Sequence, residues 1–335
     1  MSTKININVQ IKNTKAMKQS IIISFLGRTQ DRFSEYHTPT TTRERLELAK
    51  KVEGVTGVEM VYPYETGDPV ETKQWMNELG LEFAAINANI KKDTDLVPGS
   101  LSRPDKAARE KAIAIIKGAK DYAKAVGAPL VTCCPLADGY DNLFQINYAK
   151  SWRYLVDSIA EAADYLPEIP LFIEYKYNET RVHCQVDSCA KALLLLKQVN
   201  NPAMGITLDF GHSLLAHENP AQAIALCAEN GIDYYLHTND NDWNFDWDLI
   251  GGSRNFLHYA EFMFYAHEYN YNKYFTTDAS PRTFDMFEFF NLHGSISEAI
   301  WNLAGSLDRK KYLKLMEEEK AMELMKLVKN EIYRL

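Results

Sequence analysis

The sequence predicts an α/β protein, a closed (β/α)8 TIM barrel, on three observations. Short runs of β-forming residues alternate with longer runs of helical periodicity, and the alternation repeats eight times before residue 280. Each connection passes through a helix, so successive strands run parallel, and eight parallel strands close into a barrel. The third observation is chemical: four successive strand-like runs end near a cation-binding residue, at Glu174, Asp209, His237 and Asp278. In a barrel of parallel strands those ends share one face, where active sites are built.

Residues 20–25 form the first strand, a loop follows through Gly27, Arg28 and Phe33, and Leu46, Leu48 and Ala49 set a helix over 41–52. The second unit is a strand over 57–62, the loop Pro63-Tyr64-Glu65 and a helix over 71–79. A third strand over 81–86 leads into Asn87-Ala88-Asn89 and a polar loop with Pro98-Gly99-Ser100, before a helix over 105–126 that Gly127 ends. Strand 129–134 and helix 148–165 are the fourth unit, strand 170–175 and helix 187–199 the fifth. The sixth strand, 205–210, is stopped by Gly211, and its helix over 220–229 has Pro220 in the first turn. Strand 233–238 with helix 256–269 and a last strand over 273–277 complete eight units. Residues 1–285 are therefore read as the barrel, and 286–335 as a C-terminal helical extension serving packing or oligomerisation. Met316, Met322 and Met325 there are packing or subunit contacts rather than chemical groups.

The 335 residues are 46% hydrophobic and 24% charged, the balance of a globular chain with ample core. A net charge of -8 excludes a general nucleic-acid or membrane-surface partner, which demands clustered Lys and Arg. A small molecule is the expected ligand, and further copies of the chain, in a dimer or tetramer, are the expected partners. The five cysteines have neither disulfide-scaffold density nor zinc-ribbon spacing and read as reduced thiols. Residues 1–19 lack the apolar core of a secretory leader and no run is long enough to span a membrane, so the expected location is the cytoplasm.

The stretch Leu208-Asp209-Phe210-Gly211-His212 places a carboxylate and an imidazole three residues apart at a strand end. Oxygen and nitrogen donors together suit Mn, Co or Zn better than Ca. Glu174 and Lys176 are two apart, so both side chains project from one face of their strand.

These residues resemble the metal-dependent sugar isomerases of the xylose isomerase-like barrel superfamily, and within it the L-rhamnose isomerase branch. The run Glu-Tyr-Lys-Tyr-Asn-Glu-Thr-Arg from Glu174 to Arg181 is similar to the Glu-Pro-Lys-Pro-Asn-Glu-Pro-Arg motif of xylose isomerases. His237-Thr238-Asn239-Asp240, followed by Asp246-Trp247-Asp248, resembles the His-x-Asn-Asp segment and its downstream Asp-x-Asp pair. The Gly27-Arg28 and Pro63-Tyr64 loops, Asn87-Ala88-Asn89 with Gly99-Ser100-Leu101, and Asp138-Gly139 with Gln145 resemble the substrate loops, so the likeness covers about residues 20–280.

The resemblance implies that Glu174, Asp209, His237 and Asp278 hold a first divalent ion, and that His212, Asp246 and Asp248 hold a second, with Asp209 as candidate bridge. Mn is the expected ion, with Co, Mg or Zn as alternatives, at one or two per subunit. Lys176, His212 and Asp246 would be the catalytic groups of an aldose–ketose isomerase that shifts a hydride between C1 and C2 of an open-chain sugar. Lys176 would also bind substrate, with Tyr64, Asn87, Asn89, Arg28, Arg103 and Arg181. The chain departs from the rhamnose branch at Arg103, where a histidine is typical, and at Pro135, where a tryptophan is typical. An always-charged guanidinium at 103 points to an anionic sugar, a sulfonated (sulfoquinovose-like) or phosphorylated hexose or deoxyhexose. Arg28, Arg32 and Arg181 are further candidates for that contact, and His183 is a packing or surface group. The alternatives are a neutral-sugar isomerase of the L-rhamnose type and a ketose 3-epimerase, which works with two carboxylates around one metal and has Glu where this chain has Asp278. A DNA-repair endonuclease of the same barrel is disfavoured by the acidic charge, and a noncatalytic sugar binder by the ligand set.

Overall fold

The computed structural model describes residues 16–31, 33–179 and 181–335, so the first fifteen residues and the expected anion contact Arg32 lie outside it. Eight parallel strands close into a barrel: β1 (Gln19–Ile22), β2 (Val55–Tyr62), β3 (Glu82–Ala88), β4 (Val131–Cys133), β5 (Leu171–Glu174), β6 (Met204–Asp209), β7 (Asp233–Thr238) and β8 (Phe275–Thr277). The ring of helices comprises α1 (Thr42–Lys51), α2 (Pro69–Leu79), α3 (Lys106–Val126), α4 (Tyr148–Asp164), α5 (Cys189–Val199), the short α6 (Phe210–Leu215), α7 (Pro220–Glu229), α8 (Phe256–Glu268) and α9 (Met286–Ser306). The chain ends in α10 (Arg309–Glu317), α11 (Ala321–Leu327) and a π-helical turn, Val328–Tyr333. The helix α9 completes the eighth unit, burying Phe289, Phe290, Ile300 and Trp301, so the expected boundary at 285/286 falls between a strand and its own helix.

Local chemistry explains where the helices start and stop. Thr41 and Glu44 form a reciprocal capping box before α1, Asp68 caps α2 with Pro69 in its first turn, and Asp105 caps α3. Gly127 ends α3 with φ +85, a left-handed conformation that glycine adopts without strain. The buried Lys120 of α3 donates to the carbonyls of Ala162 and Ala163, both at 3.1 Å, satisfying acceptors at the C-terminal end of α4.

The strands depart from expectation where polar chemistry intervenes. Residues 23–26 turn into a 3-10 helix, so β1 is short. Gly211 does not end β6: the strand stops at Asp209, whose carboxylate accepts the His212 N–H at 2.7 Å and caps α6 directly. Inside the barrel, hydroxyls satisfy one another: Ser20 meets Thr276 at 2.5 Å, Thr132 meets Thr207 at 2.6 Å, and Tyr235 also bonds Thr276. One hydrophobic cluster runs from Ile21 to Ile332, binding barrel, helices and C-terminal turn together. All five cysteines are free and buried, and no helix among the described residues is long and apolar enough to cross a membrane.

Candidate metal centre

Strand register brings the four expected ligands to one point. Asp209 of β6 lies beside His237 of β7, and Glu174 pairs with Thr207 of β6, one pleat below Asp209. Asp278 follows β8, held by its N–H on the Thr238 carbonyl at 3.1 Å. The His237 Nδ1 is 3.3 Å from Glu174 Oε1, 3.3 Å from Asp278 Oδ2 and 3.9 Å from Asp209 Oδ2. Glu174, Asp209, His237 and Asp278 each offer one donor atom within 4.8 Å of all the others. Buried Glu174 Oε1 and His237 Nδ1 have no hydrogen-bond partner. Buried polar atoms are seldom left so, and donors that converge unpartnered fit a cation that would bind between them.

The surrounding groups prepare these donors. His237 Nε2 lies 3.0 Å from Glu59 of β2, which also accepts from Asn87 at 3.0 Å. A proton shared with Glu59 leaves Nδ1 as the free nitrogen, the arrangement that orients histidines on metals. Asn239 donates to Asp209 Oδ2 at 2.9 Å and accepts from the Gly211 N–H at 2.7 Å. A Cβ at Gly211 would stand 2.5 Å from that Asn239 oxygen, so only glycine keeps the bond.

The second expected set is partly gathered. His212 donates its Nδ1–H to the Tyr175 carbonyl at 3.0 Å, and Nε2 faces Asp246 Oδ2 at 3.3 Å. Asp246 Oδ2 also receives the Lys176 ammonium at 2.8 Å, and Glu179 takes the same ammonium at 2.8 Å. The buried Asp246 Oδ1 has no partner, and Asp248, with φ +48, lies 3.8 Å from Arg282. His212, Asp246 and Asp248 do not converge as the first four do: among the described residues the other close donor group is Cys134, Glu174 and His212. Lys176 thus supplies positive charge where a second ion is expected.

The electrostatics call for cations. Burial disfavours charge on His212, yet Asp209 and Asp246 push its imidazole up to about 10. His237 is likewise pushed well above the ordinary histidine range, Glu59 and Glu174 outweighing burial. Burial opposes charge on Glu174 too, but the His237 charge brings it down to about 2. Burial raises Asp209 to about 6, and Asp248 rises well above the carboxylate range from burial and the charges of Asp246 and Asp278. Protons on the imidazoles neutralise the acids here, and a divalent ion would do so in their place.

A cleft of about 430 Å³ opens over the cluster, lined by Glu174, Asp278, Lys176, His212, Asp246 and Asp248 on the ligand side. Of the expected substrate contacts, Arg28, Tyr64, Asn87 and Asn89 line it. Arg103 and Arg181 do not. Arg103 donates to the Asp95 carbonyl at 3.0 Å in a separate outer groove, and Arg181 bonds Asp141 and the Val97 carbonyl at 3.0 Å. Asp138 is no substrate group either: fully buried, it accepts from the N–H groups of Ser100, Leu101 and Ser102 and from both serine hydroxyls, tying the two loops together. The sequence reading missed Glu59, Lys91 and Lys92. A glutamate inside an apolar strand was a signal for the first; the lysines had none.

Residues 46–298 match the family model described as xylose isomerase-like TIM barrel. The fold is similar to a xylose isomerase domain protein from Alicyclobacillus acidocaldarius subsp. acidocaldarius (TM-score 0.66, 17% identity, 86% of this chain and 99% of that one). It is also similar to an L-ribulose 3-epimerase (0.66, 15%, 89% and 97%) and to the IOLI protein with a bound zinc atom (0.65, 16%, 87% and 100%). No curated protein matches the sequence significantly. With the closed barrel and a match over most of its length, the chain belongs to the xylose isomerase-like TIM-barrel family.

Proposed function

We propose that the protein is a divalent-metal-dependent aldose–ketose isomerase acting on an open-chain hexose or deoxyhexose. The observation that carries this reading is the Lys176–Asp246–His212 chain, set in the same cleft as the four-donor cluster and joined at 2.8 and 3.3 Å. Glu174, Asp209, His237 and Asp278 would hold the ion, with Mn favoured by their mixed oxygen and nitrogen donors and Co, Mg or Zn as alternatives. When bound, the ion polarises the sugar oxygens beside the reacting carbons. Lys176 donates to the carbonyl oxygen at C1 and stabilises the charge that develops there. The hydrogen on C2 moves to C1 with its electron pair as the C2–O bond becomes a carbonyl, and the O2 proton passes to O1. Asp246, bonded to Lys176 and facing His212, would carry that proton.

A second reading, a ketose 3-epimerase, has its own support: Glu174 and Asp278 are carboxylates of one ligand cluster, and both face the cleft. An L-ribulose 3-epimerase is among the similar folds. The two readings separate in one experiment, incubation of Mn-loaded protein with C2-deuterated aldoses and with ketoses in water, followed by NMR. The isomerase forms ketose with deuterium retained at C1. An inverted C3 centre with no aldose–ketose conversion would replace this assignment with the epimerase.

A further inference from the structure

We infer that the sugar bears an oxyanion at the end remote from its reacting carbons, held by Lys91, Lys92 and Arg28; this rests on the isomerase reading. The cleft has two unlike walls. The cation-binding donors come from the ends of β5 to β8, whereas Arg28, Arg45, Tyr64, Lys91 and Lys92 follow β1, β2 and β3. A sugar with its first two carbons at the donor cluster extends its tail toward the second wall.

The basic residues of the cleft divide by whether their charge is already used. Arg45 is paired with the buried Glu65 at 2.6 Å, and Lys176 is held by Asp246 and Glu179. Lys91 and Lys92 form no ion pair among the described residues, the Lys91 charge acting only at longer range on Glu174 and Glu179; Lys91 is half-buried and Lys92 exposed. The Lys92 ammonium stands 4.7 Å over the Tyr64 ring. Arg28 meets Glu35 at 3.3 Å, but both are half exposed, where such a pair contributes little. The two lysines are presented together because Asn89, at the end of β3, accepts the N–H of Lys91 at 3.2 Å and of Lys92 at 3.0 Å. Closing the cleft over a neutral hydroxyl would desolvate these charges without a partner, whereas a phosphate, sulfonate or carboxylate supplies one. The anion contact expected of Arg103 thus belongs to a different loop.

The test compares kcat/KM of Mn-loaded protein for glucose 6-phosphate, 6-deoxy-6-sulfoglucose and glucuronate with that for glucose and rhamnose. At least one anionic sugar should be favoured tenfold or more, and the arm that wins identifies the anion. The Lys91→Met/Lys92→Met double variant should lower that ratio at least tenfold. Lys91→Arg should retain it, and Arg103→Ala should leave it unchanged. Neutral sugars turned over as well as every anionic one would overturn the inference while leaving the isomerase reading intact. Turnover of no sugar would overturn the isomerase reading instead, and calorimetric binding of the same panel to the metal-loaded protein then decides. Tighter anion binding that the double variant loses supports the lysine site, and equal binding overturns it.

Discussion

His237 shows how one residue couples fold to chemistry: its Nε2 is committed to Glu59 at 3.0 Å, so its Nδ1 is free among three carboxylates. Asp209→Asn and His237→Gln should each lower Mn affinity at least a hundredfold in calorimetric titration. Lys176→Met should keep the ion and lose turnover, and equal metal loss in all three would break the division of roles. The metal-free imidazoles give a second expectation. His237, the imidazole among the four donors, is pushed well above the ordinary histidine range, so an ion binding there must displace its proton. Mn affinity should therefore rise with pH between 6 and 8, by about tenfold per unit for each proton released, with proton release seen as a buffer-dependent heat; a flat profile would contradict the protonated site. The donors were legible in the sequence because each ends a strand-like run and register does the rest. Glu59 stood out only as a glutamate inside an apolar strand; its pairing with His237, 178 positions away, was not legible because nothing local joins them. Arg103 was misread because residue type is local information, whereas the groove its loop faces is set by the Asp138 clamp.

That clamp belongs to the scale of elements. Its buried carboxylate receives three backbone N–H groups and two hydroxyls, so Asp138→Ala leaves several buried donors unpaired. The loss should be about 3 kcal/mol or more in denaturant unfolding; a change below about 0.5 kcal/mol would mean the loops hold without it. His293 on α9 is a second such tie. Its Nδ1 accepts the Gly251 N–H at 3.1 Å and its Nε2 meets Thr238 at 3.1 Å, a pattern that needs the neutral ring. Burial lowers it from 6.5 to about 3, so between those values the unfolded chain binds one more proton than the folded one. Its contribution is present above 6.5 and lost as pH falls toward 3. Against His293→Gln, the parent protein should lose about 1.4 kcal/mol more stability per pH unit between 6 and 4; parallel curves would exclude the neutral ring. Helix positions were readable from periodicity and, for α3, from the Gly127 stop; the caps at Thr41, Asp68 and Asp105 came only with the structure, and the second helix starts at Pro69 rather than 71. The α6 turn was not readable, because Asp209 both ends a strand and caps a helix, and a glycine there reads locally as a stop.

At the scale of the whole molecule, closure of the barrel brings donor atoms from four distant stretches of chain within 4.8 Å of one another, beside a cleft whose other wall carries basic residues. The eightfold alternation made that closure legible, since parallel strands linked through helices have few other ways to bury both faces. Which side chains line the mouth was less so, because loop directions depend on buried ties far from the residues they aim. The central claim is that metal held at the strand ends drives aldose–ketose interconversion. The most direct measurement is a titration of metal-free protein with Mn while proton NMR follows conversion of an aldose drawn from the neutral and anionic sugars above. The account predicts no conversion without metal, and a rate that rises with occupancy and saturates at one or two ions per chain. Full conversion by metal-free protein, or none at any Mn occupancy, would contradict it.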